Sequence, residues 1–213
     1  MKRFRIAGMM AFSLTVSIMV IMVGSLHAEG HIKRGGTLNY IFGSKIPSYD
    51  LHRETTFGVI HPFSPYYSLL IRVNPDNPSS PTDFVCDVCE GNVDPAGEDG
   101  GKKYTFKIRR GIEFHDGTPL TAHDVVATYN KIIFPPEGVP SSRKAFFKMV
   151  ESVTAPDDFT VVFKLEYPSG SFIPALATPF NIIYSKKDLD THGYEWHTKN
   201  CLLYTSDAAD DLR

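Results

Sequence analysis

The sequence predicts an α+β domain. Two segments, 104–109 and 159–165, alternate apolar and polar residues as half-buried strands do. Residues 121–132 carry the longest helical period, with Val125, Tyr129 and Ile132 on one face. Strands and helices follow one another without the regular βαβ rhythm of a doubly wound sheet.

The chain opens with a targeting segment. Lys2, Arg3 and Arg5 precede an uncharged apolar run from Ile6 to Val23, and Ala28 stands at a plausible cleavage position. Residues 1–28 therefore read as a secretory signal peptide, with an uncleaved anchor as the alternative because the run is long. Removing them takes the net charge from −2 to −5, because three basic and no acidic residues leave. That mildly acidic balance argues against nucleic acid, which needs a basic stripe.

Leu38, Tyr40 and Phe42 alternate as a first strand, and Gly43 to Pro47 is a turn-rich exit. Phe57 to Leu70 is apolar and aromatic, broken by Pro62 and Pro65, with a short helix or strand starting near Tyr66. Residues 74–83 and 91–103 have loop composition.

Tyr104, Phe106 and Ile108 form the buried face of the next strand. Arg110-Gly111 turns the chain, Ile112 and Phe114 resume the apolar face, and His115 to Pro119 is a second turn. Thr121 caps a helix with Asp124 as its capping-box partner, and Pro135-Pro136 stops it. Ser142 to Met149 is a second short helix. Strands follow at 150–153 and 159–165, with Asp157-Asp158 as their turn and Phe159, Val161, Phe163 and Leu165 inward. Ser171 to Ala177 reads as a short helix with Pro174 in its first turn, and Asn181 to Tyr184 as a last strand.

Residues 104–130, with the strand, the Gly turn, His115-Asp116-Gly117-Thr118-Pro119 and the capped helix, resemble the signature of the family 5 solute-binding proteins. These are extracytoplasmic receptors of ABC importers. The resemblance covers about residues 33–197. It includes the opening Gly35-Gly36-Thr37-Leu38, Tyr49-Asp50-Leu51-His52 and the segment from Ser152 to Leu165. Two departures stand out. The turn at 49–52 lacks the usual Pro, and Phe84 to Glu90 replaces a Leu-Ala-Glu-Ser-Trp-like stretch.

The resemblance implies the N-terminal part of a two-lobed class II periplasmic-binding-protein-like fold, truncated before the second lobe. Residues 29–64 would begin the first lobe, 65–185 an inserted α+β subdomain, and 186–200 a truncated return. Residues 201–213 lack turn chemistry and read as a non-native tail, resembling translated adapter sequence; a frayed polar tail is the alternative. The implied protein is not an enzyme. It is a periplasmic or secreted receptor, monomeric at full length, that passes peptides, nickel complexes or sugars to importer membrane subunits, with no cofactor. Arg53, Glu54 and Phe57 would contact ligand. With a second lobe absent, the chain is expected to bind solute weakly and, with its first strand unpartnered, to aggregate.

Cys86-x-x-Cys89 is the sharpest chemical feature. A local disulfide, free thiols, or metal or redox work all fit two cysteines, although zinc needs two further ligands. His115 and His123, seven residues apart between them, match no common metal spacing and read as turn and surface residues. Arg109 and Arg110 could grip a carboxylate, but alternation turns Arg109 to solvent. The readings from another class are a small secreted metal or redox protein built on Cys86 and Cys89, and a ligand-free adaptor.

Overall fold

The computed structural model describes residues 39–41 and 43–200. The targeting segment at 1–28 and the tail at 201–213 lie outside the described residues, as do Leu38 and Phe42 of the expected first strand. Asn39 to Ile41 carry no strand assignment and are exposed.

The centre is a four-stranded antiparallel sheet. Its strands are β3 (Cys89–Glu90), β4 (Lys103–Ile108), β5 (Val150–Asp157) and β6 (Thr160–Leu165), in the order β3-β4-β6-β5. Helix α2 (Ala122–Ile133) packs on β5 and β6. Alternation explains the sheet. Tyr104, Phe106 and Ile108 of β4 and Val161, Phe163 and Leu165 of β6 are buried, and they meet Val125, Tyr129 and Ile132 of α2 in one core. Tyr129 and Phe163 cross edge to face at 5.1 Å, a favoured aromatic geometry.

β5 runs longer than expected, through Pro156. Proline fits there because β5 is the sheet edge and the register shifts between Thr154 and Asp157. Phe159, expected inward, is only partly buried, because it caps the hairpin end beneath the Arg110 guanidinium at 3.8 Å.

A second, two-stranded sheet pairs β1 (Ile71–Val73) with β2 (Phe84–Cys86). The 74–83 loop between them is tied by Asn74 and Asn77 donating to the Asp83 carboxylate at 3.0 and 2.9 Å. Helices α1 (Phe57–Phe63), α3 (Phe172–Leu176) and α4 (Lys186–His192) complete the described fold. A smaller core gathers Leu51, Val59, Phe63, Leu69, Ile182, Tyr184 and Leu189.

Several elements differ from the sequence reading. Residues 142–149 form only a 3₁₀ turn, Lys144–Phe147, because the buried residues Phe147 and Met149 alternate into β5 rather than repeating at helical spacing. Residues 112–114 form no strand. They make a narrow hairpin in which Phe114 N–H donates to Thr118 C=O and Leu120 N–H to Ile112 C=O. Residues 181–184 join no sheet. Their polar groups are met by scattered partners instead: Ile183 N–H donates to Ser68 C=O at 3.0 Å, Tyr184 N–H to Thr128 Oγ1 at 2.9 Å, and Asn181 Nδ2 to Ala175 C=O at 2.8 Å and Leu176 C=O at 3.3 Å.

Candidate functional site

The site is a turn held from below and a cleft beside it. Asp50 is buried and nucleates the turn: its Oδ1 accepts from His52 N–H at 3.1 Å, and its carbonyl accepts from Arg53 and Glu54 N–H, both at 3.2 Å. Small local hydrogen bonds of this kind are why Asp favours turns.

Lys131, in the last turn of α2, reaches Asp50 from a fully buried position, with Nζ 2.8 Å from each carboxylate oxygen. Tyr184 donates to Asp50 Oδ1 at 3.3 Å, and the Lys131 ammonium lies 4.8 Å above the same tyrosine ring. The turn is thus pinned to α2 by a buried ion pair.

Two imidazoles line this pin. His52 Nε2 donates to Ile182 C=O at 2.9 Å, and its Nδ1 has no partner among the described residues. Burial, then the Lys131 charge, holds its pKa well below the usual histidine value. His197 stacks on Tyr184 with centroids 4.0 Å apart, and neither ring nitrogen has a partner among the described residues. Burial and Lys131 push His197 down to about 4. Burial, then Asp50, raises Tyr184 well above its ordinary value, so it stays a donor. Both rings are neutral at neutral pH and lie beside the Lys131–Asp50 ion pair.

Above the pin, Arg53 pairs with Glu195 at 3.3 Å, and its carbonyl accepts from Ser142 Oγ. Glu54 accepts from Ser48 Oγ at 2.7 Å. Phe57, first residue of α1, is 70% exposed beside His61. Thr55, between them, reaches the wall of a cleft of about 860 Å³. The 3₁₀ turn with its flanks, the segment after β6, and α3 with the residues after it supply the rest of that wall, including Arg143, Phe146, Phe147, Tyr167 and Phe180. Arg53, Glu54 and Phe57 themselves do not line it.

Cys86 and Cys89 form a disulfide joining the end of β2 to the start of β3, with Cα atoms 4.9 Å apart. Cys89 is fully buried. Among the described residues, no three His, Cys, Asp or Glu side chains gather to hold a metal. His115 lies 6.3 Å edge-on from Tyr67, and His123 is exposed against Asp158 at 3.2 Å; the two serve the surface separately.

Sequence reasoning missed Lys131, His197 and Arg143. Lys131 was visible as a lysine beside the apolar helical positions, but its partner lies 81 residues away.

The described residues thus form an antiparallel α+β body with a pinned turn beside a cleft. Residues 95–200 match the family model of the bacterial extracellular solute-binding proteins, family 5 Middle. Over those residues the chain carries that family's middle region. It is 42% identical over 74 residues to the oligopeptide-binding protein AppA of Bacillus subtilis, covering 35% of this chain and 13% of that one. It is 33% identical over 95 residues to the glutathione-binding protein GsiB of Pectobacterium atrosepticum, covering 45% and 18%. The solved structure of B. subtilis AppA with a nonapeptide superposes with a TM-score of 0.57 at 28% identity, over 68% of this chain and 27% of that one. The chain thus spans about a quarter or less of these relatives.

Proposed function

We propose that this chain is the solute-facing first part of an extracytoplasmic receptor for an ABC importer, taking peptides or other small solutes. The observation that carries the reading is the match of residues 95–200 to the family model, on a fold that superposes on a peptide-bound relative. The relatives' names include oligopeptide, glutathione and deoxycholate binders, so the solute class is wider than peptides alone.

In this reading residues 29–64 begin a first lobe, 65–185 form an inserted subdomain, and 186–200 return to the lobe. Arg53 and Glu54, on the turn whose position is set by the Asp50–Lys131 pair, and Phe57, at the start of α1, face the solute at the rim. Holding contact residues on a pinned backbone reduces the ordering required on binding. A partner lobe closing over the solute completes the site by burying it from both sides. The receptor works in the periplasm or outside the cell, performs no chemistry, and engages the importer's membrane subunits.

The test is a thermal-shift screen of di- to nonapeptides, glutathione and deoxycholate against this chain and against the full natural translation product of its gene. The reading predicts that one class raises the melting midpoint of the full product by several degrees. No stabilisation by any class would overturn it.

A further inference from the structure

The cleft beside the 50–54 turn is apolar in body and one-signed in charge. Phe146, Phe147, Tyr167 and Phe180 supply rings. Arg143 and Lys148 supply positive charge, and no Asp or Glu lines it. Arg143 is 6% exposed, yet no carboxylate pairs with it among the described residues. Its guanidinium carbon lies 3.7 Å above the Phe180 ring, which covers one face. That stacking fixes the plane of the fork; its N–H groups meet no acceptor among the described residues and none is a fully buried orphan, so they open to the cleft.

A buried cation is normally paired, because removing a charge from water is costly without a counter-charge. Here burial pushes the Arg143 pKa down with no opposing carboxylate to restore it. The position is also fixed locally. Arg143 caps the 3₁₀ turn Lys144–Phe147, and the preceding Ser142 N–H donates to His52 C=O at 3.1 Å. The guanidinium is therefore carried on a segment that Ser142 ties to the pinned 50–54 turn.

We propose that Arg143 binds the carboxylate of a small solute whose apolar body lies against the rings of this cleft. The proposal rests on the receptor reading and specifies what that receptor's first part recognises. A planar fork beside an apolar wall matches a carboxylate at the end of a hydrophobic chain, as in a peptide C-terminus or an organic acid. A neutral solute would leave the guanidinium desolvated and unpaired, which gives the cleft its selectivity.

Two probe pairs test this on the full 213-residue chain by NMR of the arginine side-chain N–H signals. One pair is 4-phenylbutyrate and 4-phenylbutyramide; the other is Ala-Ala-Phe and its C-terminal amide. The expected result is that at least one acid binds about tenfold or more tightly than its amide and shifts the Arg143 signal. Preference in the peptide pair alone points to peptide C-termini, and preference in the phenylbutyrate pair alone points to organic acids. Arg143→Gln should abolish the preference. Ala145→Trp, which puts a large side chain into the cleft from an exposed position, should weaken acid binding while the fold persists. Equal binding of acid and amide, or acid binding unchanged in Ala145→Trp, overturns the Arg143 site. If peptides or other solutes still stabilise the full product, only the subsite falls; if no solute binds anything, the receptor reading falls with it.

Discussion

At the residue scale the decisive group is Lys131. It is buried to 1% exposure and lies 2.8 Å from both oxygens of Asp50, itself 3% exposed. Removing one partner of such a pair strands a charge in the interior. Asp50→Asn should therefore destabilise the chain by about 3–5 kcal/mol in urea unfolding, and adding Lys131→Met should recover part of the loss. A single variant within about 0.5 kcal/mol of the parent would contradict the pin. The histidines add a pH dependence. His197 binds its proton at about 4 when folded and near 6.5 when unfolded, and His52 is lowered as well. Between those values the unfolded chain holds more protons, so stability is full above about pH 6.5 and is lost as pH falls toward 4. Urea midpoints at pH 7, 6 and 5 should fall in that order, and His197→Phe should flatten the trend. None of this network was legible in the sequence. Asp50 and His52 stood in a turn and Lys131 on a helix, and only the fold brings them together.

At the element scale, what was legible followed from local rules. The alternation in β4 and β6 and the helical period of α2 each report one buried face, and the structure has them. The Thr121–Asp124 capping box is present, with Asp124 Oδ2 accepting from Thr121 N–H at 2.8 Å and from its hydroxyl at 2.9 Å. Asp124 does more than the motif states: its Oδ1 accepts from Lys186 N–H at 2.8 Å, so it binds the start of α4 to the start of α2. Asp124→Ala should cost about 1–2 kcal/mol and speed amide exchange at Lys186 as well as at Thr121. Protection lost at Thr121 alone would refute the shared cap. The misread elements, 142–149 and 181–184, are those whose backbone groups are met by distant partners such as Ser68 and Thr128. α1 was missed because Pro62 sits inside it, although Thr56 caps it with Gly58 N–H at 3.1 Å. The Cys86–Cys89 bridge closes a very short loop, so its reduction should lower stability by about 2 kcal/mol and no more. Loss of the cooperative melt on reduction would show a larger role.

At the scale of the whole molecule, a sheet-and-helix body carries a pinned turn beside a cleft that is apolar, positively charged and wide enough for a small solute. The α+β class and the family were legible because the most patterned stretch, 104–130, lies within the matched residues 95–200. The cleft was not, because Thr55, Arg143 and Phe180 come from three separate segments. The central claim is that this cleft belongs to the solute site of an import receptor. Its most direct test is calorimetric titration of the full natural translation product with whichever solute stabilises it, beside the Ala145→Trp variant. The account predicts saturable one-to-one binding that falls at least about tenfold in the variant while melting is unchanged, as expected when a packed cleft loses its space. Equal affinity in both proteins would contradict it.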